Sequence, residues 1–129
     1  MKLFVYGTLK KGFGNHRYLE KSTLLDNCCW THGVLVDLGH FPGMLEDPTK
    51  DSKVYGELYE IDEDTLARCD LLEGYRSDRN PDFNLYNRAV VDVNRVDGTV
   101  DKGVYTYFYA RNKKNKAGAP ILKSGVWKY

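Results

Sequence analysis

Two short stretches carry residue types and spacings that chemistry could use. The first is Tyr6-Gly7-Thr8-Leu9-Lys10-Lys11-Gly12, which leaves an apolar run and enters a glycine-rich one. A chain that exits a strand on glycine bares backbone N–H groups, and such a nest suits a carboxylate or an oxyanion. Gly7 and Gly12 have the spacing of a phosphate loop, yet Phe13-Gly14 stands where the Lys-Ser/Thr pair should follow. A dinucleotide fingerprint fails as well, because Gly12 and Gly14 are followed by Arg17 and no third glycine. These residues leave two readings, a small-anion nest or a plain turn, and disfavour a nucleotide.

The second stretch ends at Glu73. It closes a candidate helix, where the negative end of the dipole disfavours ionisation, and it follows Leu71 and Leu72, which could desolvate it. Both effects move a carboxyl toward a pKa useful for proton transfer near neutrality. The alternative is a solvated glutamate at a helix end. Glu57, between Tyr55 and Tyr59, is a second carboxylate, facing either inward or outward from a half-exposed strand. His16, His32 and His40 form no recognisable pattern with a Ser or Cys nucleophile, so nucleophilic hydrolysis is a weak reading.

Several elements must position these residues. Lys2 to Tyr6 is β-rich and apolar on both faces, as in a central strand. Asn15 can cap a short helix to about Leu19. Cys28 to Leu38 reads as a second strand, broken by Gly39-His40-Phe41-Pro42-Gly43, since Pro42 cannot donate to a ladder. Val54 to Ile61 is a third, with Tyr55, Glu57 and Tyr59 on one face. Asp62 is the expected N-cap of a helix, with Glu63 and Asp64 in its first turn. Leu66, Ala67, Cys69, Leu71 and Leu72 supply its apolar face, and Gly74 its stop. Strands follow over Tyr86 to Val96 and Val104 to Ala110, joined through Asp97-Gly98. Five or more short strands with one good helix predict an α+β domain, a curled sheet or barrel, over residues 1–129.

Composition narrows the function class. Of 129 residues, 42% are hydrophobic and 29% charged, which suits one globular domain with its own core. Nineteen basic against 18 acidic residues leave +1, so no global field grips nucleic acid or anionic membrane. Arg111, Lys113, Lys114 and Lys116 form a basic tail, either a solvated connection or a local polyanion patch. No run reaches the roughly 18 apolar residues that span a bilayer, and the apolar opening before Gly7 is too short for a signal core. Three cysteines, two adjacent, suit a reduced cytoplasmic chain. Cys29 and His32 have ligand-like spacing that nothing completes, so no metal and no cofactor is expected.

Taken in order, Phe4-Val5-Tyr6-Gly7-Thr8-Leu9-Lys10, Asn15-His16, Leu38-Gly39-His40-Phe41-Pro42-Gly43 and Val54 through Asp62 form a recognisable set. Leu71-Leu72-Glu73-Gly74-Tyr75, Leu85-Tyr86-Asn87-Arg88 and Ser124-Gly125-Val126-Trp127 complete it. This set resembles the gamma-glutamylcyclotransferase-like family, particularly its gamma-glutamylamine cyclotransferase branch. One stretch departs from the family's pattern: Arg76 to Asn84 is charged and longer than the link expected after Glu73, and it bears on the shape of the substrate mouth.

The resemblance implies a mixed β-barrel with flanking helices. It implies a small γ-glutamyl substrate held at Gly7, Thr8 and Leu9, with Glu73 beside it as the acid/base. Tyr6, Phe41, Pro42 and Tyr107 become the expected water-excluding and substrate-binding wall. The implied reaction cyclises the γ-glutamyl group to 5-oxoproline and releases the attached amine or amino acid. The expectation is a cytoplasmic monomer with no nucleic-acid or membrane partner. The competing expectation is a catalytically inactive module that binds a small metabolite or a peptide end in the same pocket.

Overall fold

The computed structural model describes residues 1–110 and 118–128. Seven strands and one α-helix follow one another: β1 (Lys2–Val5), β2 (Thr23–His32), β3 (Val34–Asp37), β4 (Pro42–Leu45), β5 (Lys53–Glu60), α1 (Glu63–Leu72), β6 (Tyr86–Arg95) and β7 (Val100–Tyr109). Five strands close a barrel in the order β1-β5-β2-β6-β7. The β1–β7 pair is parallel, with Leu3 opposite Tyr105, and the other barrel pairs are antiparallel. Strands β3 and β4 form a separate antiparallel pair, and β4 packs against β7. The fold class is the α+β mixed barrel expected from the sequence.

Alternation along β1 builds two cores at once. Phe4 and Tyr6 join Cys29, Val54, Leu58, Val93 and Val104 in one buried cluster. Leu3 and Val5 join Tyr59, Tyr107, Tyr109 and the helical Leu66 and Cys69 in the other. A helix cannot lie inside a five-stranded barrel, so this second cluster is the outer face beneath α1. Burial on both faces is why β1 reads as apolar throughout. Where β1 meets β5, a Cβ on Gly56 would lie 2.2 Å from the Val5 carbonyl oxygen, so only glycine allows that approach.

Three sequence boundaries need correction. The segment read as one strand, Cys28 to Leu38, is two: Gly33 separates β2, which starts at Thr23, from β3. Pro42 does not break a strand but opens β4, opposite Asp37, at the first position, where a missing N–H is tolerated. Strand β7 begins at Val100, not Val104. Its early residues look polar because Asp101 is buried in ion pairs with Arg95 (2.7 Å) and Lys2 (2.6 Å). The basic tail residues Arg111, Lys113, Lys114 and Lys116 lie outside the described residues.

Candidate active site

Helix α1 is built to present its last turn. Asp62 caps its start, accepting from the Thr65 N–H at 2.8 Å. Its end is a Schellman arrangement, with Tyr75 N–H donating to Asp70 O (2.9 Å) and Gly74 N–H to Leu71 O (3.2 Å). Gly74 takes the left-handed conformation this needs, at φ +68°. Glu73 is the C-cap, and its carbonyl accepts the Tyr86 N–H at 3.2 Å, which ties it to the start of β6. Between them, Asn84 folds the charged 76–84 stretch on itself, bonding both the N–H and the carbonyl of Arg76 at 3.1 Å. Arg76 pairs with Asp78, and none of residues 76–84 lines the cavity. The loop instead returns Leu85 and Tyr86 to its wall.

That cavity holds about 290 Å³ and lies between the β1 exit, the β4 start and the end of α1. The residues that the resemblance assigns to the site all line it: Tyr6, Gly7, Thr8 and Leu9 from the first loop, Phe41 and Pro42 before and at β4, Tyr107 from β7, and Glu73. The loop turns on a Lys10 N–H to Gly7 O bond (3.0 Å) and is held by Asn15, whose side chain donates to Thr8 Oγ1 at 2.9 Å. The N–H groups of Gly7, Thr8 and Leu9 have no acceptor among the described residues, although Gly7 and Leu9 are buried. Buried N–H groups are rarely orphaned, so an anion would complete them. A Cβ on Gly7 would lie 2.7 Å from Pro42 Cγ; the glycine lets the loop lie against that ring.

Three tyrosines wall the cavity, and each gives its proton elsewhere. Tyr6 donates to Tyr107 O (2.7 Å) while accepting the Met44 N–H (3.1 Å). Tyr86 donates to Pro42 O (2.5 Å), and Tyr107 to Asp70 Oδ1 (2.6 Å). Burial pushes all three phenols above their ordinary pKa, so they remain neutral donors near neutrality. No hydrogen bond to the Glu73 carboxyl forms among the described residues. Half-buried in the cavity wall, it is pushed up by burial to about 7.

The wall differs in part from what the sequence predicts. Leu71 is 83% exposed and desolvates nothing; Leu72 and the tyrosines enclose Glu73. Asn15 is no side-chain cap of the short 3₁₀ turn His16–Leu19 but a brace for Thr8. Glu57 lies outside the cavity lining, accepting from Lys11 N–H and the Tyr59 hydroxyl, each at 2.9 Å. His40, Leu72, Leu85 and Tyr86 line the cavity without having been assigned to it. For Tyr86 a signal existed, its place in Leu85-Tyr86-Asn87-Arg88. Cys29 donates to Gly56 O, and no cluster of three metal-ligating side chains occurs among the described residues. No helix among them is long and apolar enough to cross a membrane.

Comparison with known proteins places this arrangement. Residues 3–129 match the family described as gamma-glutamyl cyclotransferase, AIG2-like. The chain is 42% identical over 106 residues to the gamma-L-glutamyl-butirosin B gamma-glutamyl cyclotransferase of Niallia circulans, covering 81% of this chain and 65%, just under two thirds, of that protein. It is 37% identical over 108 residues to a putative gamma-glutamylcyclotransferase of Vibrio cholerae, covering 78% of this chain and 91% of that one. A solved AIG2-like protein from Mus musculus superposes with a TM-score of 0.77 at 27% identity, covering 98% of this chain and 87% of the mouse chain. The barrel, the ordered motifs and a match across nearly the whole length agree: the chain belongs to the gamma-glutamyl cyclotransferase, AIG2-like family.

Proposed function

We propose that the protein cyclises a γ-glutamyl group to 5-oxoproline and releases the attached amine, with Glu73 carrying the proton. One observation carries the reading: the half-buried Glu73 carboxyl lines the same cavity as the Gly7, Thr8 and Leu9 loop and has no hydrogen-bonding partner among the described residues, so that burial pushes it up to about 7. A group titrating there is divided between base and acid near neutral pH, as general acid–base catalysis favours.

The substrate's α-amine attacks its own γ-carbonyl carbon. The new C–N bond closes a five-membered lactam, and the original amide C–N bond breaks. Because the attack is intramolecular, holding a near-attack conformer supplies much of the acceleration. Glu73 accepts a proton from the attacking amine and returns it to the leaving nitrogen, so one carboxylate serves both transfers. The N–H groups of Gly7, Thr8 and Leu9 hold the glutamyl carboxylate or the developing oxyanion. Tyr6, Phe41, Pro42 and Tyr107 shield the carbonyl from water, which favours cyclisation over hydrolysis.

The test is a panel of γ-glutamyl amines and γ-glutamyl dipeptides assayed for 5-oxoproline. At least one substrate should turn over, and Glu73→Gln should lower its rate by about 100-fold or more. Tight binding across the panel with no turnover would replace the enzyme with a binding module.

A further inference from the structure

Of the three tyrosines walling the cavity, two donate to backbone carbonyls that the strands hold in place. Tyr107 donates to a side chain. Its acceptor, Asp70, sits three residues before Glu73, and positions i and i+3 face the same way along a helix. Tyr107 and Glu73 line one cavity, yet the Tyr107 phenol donates its hydrogen bond to Asp70, one turn back along α1 and outside the lining.

A reason for that choice is visible. Arg88 from β6 engages the other oxygen of Asp70 at 2.5 Å. Its guanidinium lies against two rings, Tyr75 at 5.1 Å and Tyr105 at 4.9 Å. An anchored carboxylate is a strong acceptor for a phenol. We propose that Asp70 is a positioning residue for the reaction: with Arg88 it holds the Tyr107 hydroxyl away from Glu73, so that the Glu73 carboxyl meets the substrate amine with no protein donor attached. The inference rests on the role given to Glu73 above. A hydroxyl transferred to Glu73 would stabilise its carboxylate and weaken it as a base.

Among the described residues, four titratable groups line the cavity with Glu73. Tyr6 comes from the β1 exit, His40 from the loop before β4, Tyr86 from β6 and Tyr107 from β7. Cys69 lies on α1 itself, its thiol pushed up to about 12 by burial first and by Glu73 second. Asp70 and Arg88 stand behind Tyr107 as a pair, so removing Asp70 changes charge as well as hydrogen bonding. The experiment separates the two.

The Glu73 side-chain carboxyl is titrated by ¹³C NMR in the full-length protein, alone and as Asp70→Ala, Asp70→Asn and Asp70→Ala/Tyr107→Phe, with kcat/KM profiles alongside. Asp70→Ala should lower the Glu73 midpoint by about one pH unit and move the acid limb of kcat/KM with it. Adding Tyr107→Phe should restore both, since no hydroxyl remains to transfer. Asp70→Asn keeps the shape and an acceptor oxygen for the phenol, and should leave Glu73 near its original midpoint even if the alanine variant folds poorly. A shift that persists without the Tyr107 hydroxyl, or a full shift in Asp70→Asn, would assign the effect to charge and overturn the proposal. The NMR midpoint requires no turnover, so an inactive protein would remove the cyclotransferase reading without mimicking either result.

Discussion

Replacing Glu73 by Gln should make the protein more stable above neutral pH. In water the carboxyl titrates at 4.5; in the cavity wall burial pushes it up to about 7. That difference corresponds to roughly 3 kcal/mol of preference for the neutral acid in the folded state, an upper bound because the group keeps a partial opening. The folded form binds the proton more tightly than the unfolded form. The stabilisation is therefore fully present below pH 4.5 and is lost as pH rises through about 7. Gln keeps the shape and does not titrate. At pH 5 the two proteins should melt close together, and at pH 8.5 the variant should melt higher. For a chain of this length about 4 °C per kcal/mol is appropriate, giving a gap of up to about 12 °C. Thermal melts followed by circular dichroism in pH steps would read it. Parallel curves for both proteins across the range would refute the claim that Glu73 is desolvated in the cavity wall and uncompensated.

Three further outcomes follow from the same geometry. Gly7→Ala should press its Cβ onto the Pro42 ring, costing about 1–3 kcal/mol and raising KM about tenfold; an unchanged KM in folded protein would remove the substrate from that loop. Tyr6→Phe should strand the Met44 N–H and the Tyr107 carbonyl, lowering stability to urea by about 2 kcal/mol; an unchanged midpoint would contradict that bridge. Asp62→Ala removes the helix cap and should lower the melting midpoint while kcat/KM stays unchanged. The Thr65 N–H holds the Asp62 carboxyl below its ordinary pKa, so this difference should close as pH falls through that depressed value and persist above it.

Much of the architecture was legible because local signals and burial agree. The two-sided apolar run of β1, the Asp62 cap and the Gly74 stop each have a short-range cause, and each is found in place. Long-range facts were less legible. That Asp101 is buried depends on Lys2 and Arg95, far away or across a hairpin, so its segment read as polar. The Pro42 strand start depends on an edge position that only pairing with Asp37 reveals. Glu73 could be singled out from its helix end, but the walls that desolvate it could not. Leu71, its near neighbour in sequence, turns to solvent, whereas Tyr86 and Tyr107 arrive from strands. The Asp70–Tyr107 bond joins residues 37 positions apart and leaves no trace in local spacing.

The most direct test of the central claim is product identity from a single γ-glutamyl amine incubated with the protein near pH 7 and followed by NMR. Cyclisation behind a water-excluding wall predicts 5-oxoproline and free amine in equal amounts, with no glutamate above the uncatalysed background. Glutamate as the main product would contradict the account: water, and not the substrate's own α-amine, would then reach the carbonyl beside Glu73.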